Sequence, residues 1–192
     1  MVADPPASAT LVARHLTGCL ERAGIPYAIG GALAYGVWSV PRATKDVDIN
    51  VFVEAAGLRP ALDALISCGL RIDPTEAVAR AERGDVVVGR YDGMRIDLFT
   101  ASIPFCWEAM TTRVRISDGE EERWFLSAEA ICLFKLLFFR SKDKADVEYL
   151  VATQGRGLDG TYVRRWLTQM MGEDDERVRF WDGVVSEQQR PA

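Results

Sequence analysis

The segment that most constrains this chain is Asp46-Val47-Asp48-Ile49-Asn50-Val51-Phe52-Val53. Successive side chains of a strand point to opposite faces, so Asp46, Asp48 and Asn50 share one side while Val47, Ile49 and Val51 share the other. That alternation predicts a half-buried strand whose apolar row needs a second layer over it. It also poses a chemical problem. Two carboxylates two residues apart on one face repel each other, and a divalent cation relieves the repulsion. Mg²⁺ in particular is held by one or two carboxylates together with substrate phosphates.

The rest of the chain supplies the layers. Leu11, Val12, His15, Leu16, Cys19, Leu20 and Ala23 recur at three- and four-residue steps and predict an amphipathic helix, ended by Gly24 and Pro26. Tyr27 to Ile29 reads as a short strand, Gly30-Gly31 as a turn, and Ala32 to Trp38 as a short helix broken by Pro41. Leu58 to Cys68 reads as a helix stopped by Gly69. Val86 to Tyr91 and Met94 to Thr100 read as strands joined by Asp92-Gly93, a favoured hairpin turn. A weaker strand pair falls near Val114 and Trp124. Beyond it the pattern turns helical: Ser127 can cap a long helix through Leu133 to Phe139, and Tyr162 to Met171 and Glu176 to Val185 follow. The expectation is an α/β (α+β) chain with a core over residues 1–125 and a helical region over 126–192, with the first seven residues and the last few frayed.

Composition bounds the function. The chain has 192 residues, of which 48% are hydrophobic, enough for a core of its own. The net charge of -5 excludes a protein that coats nucleic acid by neutralising phosphates, and any such contact has to be local. The four cysteines (Cys19, Cys68, Cys106, Cys132) form no CxxC pair and there is a single histidine, His15, so a zinc site is not expected. Reduced, buried thiols are expected instead, with His15 structural. The absence of a basic-then-apolar leader, and an apolar run near Ile131 to Phe139 that Lys135 interrupts, predict a cytoplasmic chain with no membrane partner.

A third carboxylate lies in Arg95-Ile96-Asp97-Leu98-Phe99, where Ile96 and Leu98 take the face opposite Asp97. If this strand pairs beside the first, Asp97 joins Asp46 and Asp48. Three carboxylates can hold two metals about 3.5–4 Å apart, which suits in-line displacement at phosphorus. Sixteen residues before Asp46, Gly30-Gly31 leaves backbone N–H groups able to approach a phosphate, and the helix after it offers its N-terminal dipole.

Gly30-Gly31, Thr44-x-Asp46-Val47-Asp48 and the later Asp97 together resemble the DNA polymerase β nucleotidyltransferase superfamily. The resemblance implies a mixed sheet flanked by helices with a helical region appended. It also implies two Mg²⁺ ions, with Mn²⁺ as an alternative, held by Asp46, Asp48 and Asp97. Gly30 and Gly31 would contact the triphosphate, and Asp97 would position the acceptor hydroxyl. Leu133-x-Lys135-Leu136-Leu137 followed by Arg140-x-Lys142-Asp143-x-x-Asp146, with the Arg42-x-Thr44-x-Asp46-x-Asp48 run, is similar to the AbiEii-type nucleotidyltransferases, a group that includes abortive-infection toxins and MenT toxins. There the lysine binds the nucleoside triphosphate and the late aspartate helps build the site, which makes Lys135 and Asp146 site residues by resemblance. Thr44 matches an active-site Ser/Thr, and Gly30-Gly31 departs from the Gly-Ser common in that group.

The residues themselves leave alternatives open. Lys135 either snorkels to water or meets an anion. Lys142 and Asp146 fall within about 40° of it on one face if the helix is continuous, but Ser141 can instead open a new helix. Arg42 and Lys142 are counted as nucleotide-binding, Arg42 on its capacity for phosphate. Arg164, Arg165 and Trp166 read as a solvated helix face rather than an RNA contact. The expected function is transfer of a nucleoside monophosphate from a nucleoside triphosphate to an acceptor hydroxyl. The first expectation is a tRNA acceptor, as in a toxin opposed by a cognate antitoxin. A small-molecule acceptor such as an antibiotic, or a non-catalytic nucleotide-binding module, are the alternatives.

Overall fold

A computed structural model of the chain describes residues 8–117 and 121–188; both termini, where fraying was expected, and residues 118–120 lie outside the described residues. The chain divides into two compact units, one holding residues through Ala34 with Arg42–Leu126, the other Tyr35–Pro41 with residues from Ser127 on.

The first unit is built on a six-stranded mixed sheet. Its strands are β1 (Tyr27–Ile29), β2 (Asp46–Val51), β3 (Val87–Tyr91), β4 (Met94–Thr100), β5 (Val114–Ser117) and β6 (Glu122–Phe125), in the order β3-β4-β2-β1-β6-β5. β2 runs parallel to β4, and β1 parallel to β6; the other neighbours are antiparallel. The alternation in β2 is realised: Val47, Ile49 and Val51 are fully buried. They join Ile96 and Leu98 of β4 in a core that includes Leu16 and Leu20 of α1 (Ala9–Arg22) and Leu62 and Leu65 of the helix Arg59–Ser67. Burying each such side chain contributes about 2 kcal/mol, so a one-residue slip of β2, which would exchange its faces, is strongly disfavoured. Ser8 caps α1 by accepting from the Leu11 N–H. The predicted Asp92-Gly93 turn closes the β3–β4 hairpin with both residues at positive φ.

Following the short helix α2 (Gly31–Trp38), the unit contains α3 (Arg59–Ser67), α4 (Pro74–Glu82) and α5 (Pro104–Thr111). Neither α4 nor α5 is expected from apolar periodicity. In α4 the buried residues are two alanines, Ala77 and Ala81, too weakly hydrophobic to mark a stripe, although Asp73-Pro74 is a strong start signal and Asp73 accepts from the Thr75 and Glu76 N–H groups.

The cysteines require a correction. Cys106 and Cys132 are free and buried, as expected. Cys19 and Cys68 are joined in a disulfide (S–S 2.13 Å). The cause is tertiary: α1 lies against α3, bringing Cys19 within a Cα separation of 6.6 Å of the residue that caps α3.

The second unit is helical, with α6 (Ala128–Phe138), α7 (Ser141–Gln154), α8 (Gly160–Met171) and α9 (Glu176–Gln188). Ser127 caps α6 as expected, accepting from the Ala130 N–H. The continuous helix that would have carried Lys135, Lys142 and Asp146 is not present. Phe139 adopts a left-handed conformation (φ 54°), and Arg140 caps a new helix whose Asp143 reaches back to the Arg140 N–H. On α8, Arg164 is not simply solvated: it donates to Asp182 of α9 at 2.8 Å and also pairs with Glu173.

Candidate active site

In the first unit the sheet register does the assembly. β2 and β4 are parallel neighbours with Asp48 opposite Asp97 and Asp46 opposite Arg95. Paired residues of adjacent strands share a face, so Asp46, Asp48, Asp97 and Arg95 all stand on the side of the sheet opposite the Val47–Ile49 core. Thr44, just before β2, donates its hydroxyl to Asp46 Oδ1 at 2.5 Å and fixes that carboxylate. Asp97 is buried and accepts from Arg95 Nε at 2.7 Å. The Arg95 pKa is raised first by that hydrogen bond and by the Asp97 charge, and further by the charges of Asp46 and Asp48. One guanidinium thus feels all three aspartates.

The glycine turn meets the same carboxylates. β1 is antiparallel to β2, with Ile29 opposite Ile49, and the Gly30 N–H donates to the Asp48 carbonyl oxygen at 2.9 Å. A Cβ on Gly31 would fall 1.7 Å from Asp48 Oδ2, and one on Gly30 would fall 2.6 Å from Asn50 Nδ2. Gly31 also holds φ at +53°. Both conformation and space therefore require glycine at position 31. The turn brings the start of α2 against the Asp48 carboxylate, and the first-turn N–H groups of a helix have no acceptor within the helix itself. Arg42 lies exposed on the segment leading into β2.

The donor set fits a hard divalent cation: carboxylate and hydroxyl oxygens on one face, neutralised by a half-exposed arginine, with no sulfur or imidazole among them. Among the described residues, the group of three acidic, cysteine or histidine residues whose ligand atoms all approach within 4.8 Å is His15, Cys19 and Cys68, not the aspartates. The aspartate oxygens stand further apart, with Arg95 supplying the positive charge at Asp97.

In the second unit, Lys135 of α6 lies against α7. Its Nζ donates to Asp146 Oδ2 at 2.6 Å, stands 3.8 Å from Asp143 Oδ1, and lies 5.2 Å from the centre of the Tyr35 ring. Lys135 is 12% exposed and Asp146 7%, so this is a buried ion pair rather than a snorkelling lysine. Asp143 is shared with Arg140, whose Nε donates to it at 2.6 Å. Lys142, on the first turn of α7, is exposed and is not part of this cluster. Lys135 and Lys142 thus stand on different helices, separated by the break at Phe139.

Sequence reasoning missed Arg95, Asp143 and Tyr35. The Asp143-x-x-Asp146 spacing puts both carboxylates on one helix face and is a legible signal. Arg95 becomes informative only once the β2–β4 register is known.

No family model matches the chain, and no curated protein matches it in sequence. Solved structures do. The crystal structure of ANT(2")-Ia in complex with adenylyl-2"-tobramycin superposes with a TM-score of 0.56 at 13% identity, covering 84% of this chain and 97% of that one. The solution structure of the antibiotic-resistance factor ANT(2'')-Ia gives 0.50 at 14% identity, over 95% and 97% of the two chains. A nucleotidyltransferase-like protein from Paracoccidioides brasiliensis gives 0.49 at 15% identity, over 94% and 88%. The fold is thus of the nucleotidyltransferase type, a mixed sheet flanked by helices with helices appended, as the sequence predicts. Among the described residues no helix is long and apolar enough to cross a membrane.

Proposed function

We propose that the chain is a metal-dependent nucleotidyltransferase that moves a nucleoside monophosphate from a nucleoside triphosphate to an acceptor hydroxyl. The observation that carries this reading is the placement of Asp48 opposite Asp97 on adjacent strands, with the Asp48 carboxylate against a glycine whose replacement would displace it. Ordinary solvated aspartates on a strand do not need that glycine.

In this reading Asp46 and Asp48 hold Mg²⁺, and Asp97 contributes to a second ion; Mn²⁺ has the same oxygen preference. Bound there, such ions supply a Lewis acid at phosphorus and lower the pKa of an acceptor hydroxyl. Thr44 keeps Asp46 oriented. The N–H groups at the start of α2 receive triphosphate oxygens, and Arg42, exposed beside β2, adds a cation for phosphate. Asp97 orients the acceptor oxygen for in-line attack. By its resemblance to the AbiEii-type lysine, Lys135 is assigned to the triphosphate; within its own unit it is held by Asp146 in a buried ion pair. Lys142 is left out of this assignment because it lies off the cluster.

The acceptor has two readings. The Lys135 to Asp146 motif favours tRNA, in a toxin with a cognate antitoxin. The net charge of -5 and the likeness in fold to ANT(2'')-Ia favour a cationic small molecule. The experiment is incubation of the full chain with each α-labelled nucleoside triphosphate and Mg²⁺, with total tRNA or an aminoglycoside panel as acceptor. Label on either acceptor, abolished in Asp48→Asn, is expected. No transfer in any arm, or transfer that survives Asp48→Asn, overturns the catalytic reading; the labelled arm identifies the acceptor.

A further inference from the structure

The disulfide lies away from the aspartates' face, on the helical side of the first unit, and its surroundings are unlike those of an inert cross-link. Cys19 is 3% exposed, whereas Cys68, at the end of α3, is partly open to solvent. Arg22, one turn after Cys19, places its Nη2 3.1 Å from the Cys19 Sγ and 3.7 Å from the Cys68 Sγ. The His15 ring sits between α1 and the end of α3, with Nε2 2.9 Å from the Cys68 carbonyl oxygen and the ring 5.1 Å from that of Tyr91. A neutral disulfide gains little from a guanidinium over its sulfurs. A thiolate gains a great deal, because a nearby cation lowers thiol pKa and makes the sulfur a better leaving group. The two free cysteines show the opposite design: burial pushes the thiols of Cys106 and Cys132 up.

We propose that Cys19–Cys68 is a thiol-exchange site for a low-molecular-weight thiol, in which Cys68 is the attacked sulfur and Cys19 the leaving thiolate. The thiolate of the incoming reagent attacks Cys68 Sγ along the open side. A new sulfur–sulfur bond forms between reagent and Cys68, the Cys19–Cys68 bond breaks, and its electron pair leaves on Cys19. Arg22 holds that thiolate, and once protonated its thiol can donate to the His15 carbonyl oxygen, 3.1 Å away. A second reagent thiolate then attacks the reagent sulfur on Cys68. This releases the oxidised reagent and leaves two reduced cysteines, so two electrons pass from two thiols to the protein. The bond closes a 49-residue separation containing Gly30, Gly31, Asp46 and Asp48, and it ties α1 to α3. Exchange therefore releases a tie around the segment that bears the candidate site. A metal reading of His15, Cys19 and Cys68 is disfavoured by the same arginine, which repels a cation at both sulfurs, and by the contact of His15 Nε2 with a carbonyl.

The test uses the full chain, purified in air, exposed to glutathione and quenched with acid and an alkylating reagent before peptide mass spectrometry. The expected result is an intact Cys19–Cys68 bond at the start, a glutathione adduct on Cys68 as the first product, and an alkylated Cys19. Arg22→Ala should slow adduct formation about threefold or more, with Arg22→Lys between the two. Arg22 is exposed, so circular dichroism is expected to be unchanged in both variants. The proposal is overturned by adducts on Cys19 first, by an Arg22→Ala rate equal to the parent's, by a bond that resists glutathione, or by stoichiometric zinc on the reduced protein. None of these readouts depends on nucleotidyl transfer, so this proposal and the catalytic one fail separately.

Discussion

Replacing Gly31 with alanine separates backbone strain from damage to the site. At φ +53° an alanine is in the left-handed region, which costs about 1–2 kcal/mol. Gly84 has a similar φ of +76°, but a Cβ there meets nothing within 4 Å. Gly84→Ala therefore measures the strain alone, and for a chain of this size it should lower Tm by about 2–8 °C. Gly31→Ala pays the same strain and also drives its Cβ to 1.7 Å from Asp48 Oδ2 and 2.4 Å from Asp48 Cγ. Ordinary contact is about 3.4 Å or more, so the carboxylate must rotate or retreat by well over 1 Å. A misplacement of that size at a reacting centre costs about a hundredfold in rate. Calorimetric melts of both variants, with Mn²⁺ titration and labelled transfer, make the comparison. The two should melt within a few degrees of each other, while Gly31→Ala loses transfer and cation affinity and Gly84→Ala keeps both. If Gly31→Ala binds the cation and transfers within threefold of the parent, the glycine serves only the turn and the proposed metal role of Asp48 is wrong.

Other perturbations follow from the same geometry. Arg95→Ala removes the charge that competes at Asp97, so Mn²⁺ should bind about tenfold tighter, about 1.4 kcal/mol; isothermal titration showing weaker binding would mean that the guanidinium helps hold the site rather than substituting for the ion. Lys135→Met strips Asp146 of its cation within a buried cluster and should cost about 3 kcal/mol in urea unfolding, with much of the loss recovered when Asp146→Asn is added; a cost below about 1 kcal/mol would show the pair to be solvated. Tyr27, fully buried with its hydroxyl donating to Glu21 at 2.9 Å, has its pKa pushed from 10.0 to about 12, first by burial and then by Glu21. The folded state therefore keeps the phenolic proton over a range where the unfolded chain releases it. Stability from this group is complete below pH 10 and falls as pH rises toward 12, by about 2–3 kcal/mol. Tyr27→Phe should flatten that part of the pH–stability curve, and an unchanged slope would assign it to other groups.

How far the sequence could be read depended on whether a feature was local. β2 was legible because its alternation is strict over six residues and its register is enforced by burial, and the Asp92-Gly93 hairpin because a two-residue turn with positive φ has few solutions. Asp97 was legible as a candidate for the same reason as Asp48, through its apolar neighbours, but its placement opposite Asp48 depends on β2 and β4 being parallel neighbours across 49 residues of chain. Pattern alone cannot set that pairing; the resemblance to a known fold did. Arg95 was invisible on the same grounds, since an arginine beside an aspartate on a strand reads as a surface pair until the other two aspartates are placed around it. The break at Phe139 was masked by an apolar run that fits either one helix or two. It is decided by Arg140 and Asp143 closing a cap on the second, which puts Lys135 and Lys142 on separate helices.

The cysteines show the same limit in a sharper form. Cys19 and Cys68 each fall in a segment that reads as helical beside apolar residues, where composition favours a buried thiol, and nothing local distinguishes them from Cys106 or Cys132. What separates them is helix packing and one charge: α1 against α3 brings the sulfurs together, and Arg22, three residues after Cys19, stands over both. An arginine at that spacing is ordinary on a helix surface and carries no signal by itself. The chemistry of the pair is therefore a property of the interface between two helices. For the same reason the carboxylate face belongs to the pairing of two strands rather than to either motif read alone. A chain that kept Asp46, Asp48 and Asp97 but lost the β2–β4 register would keep the motif and lose the site.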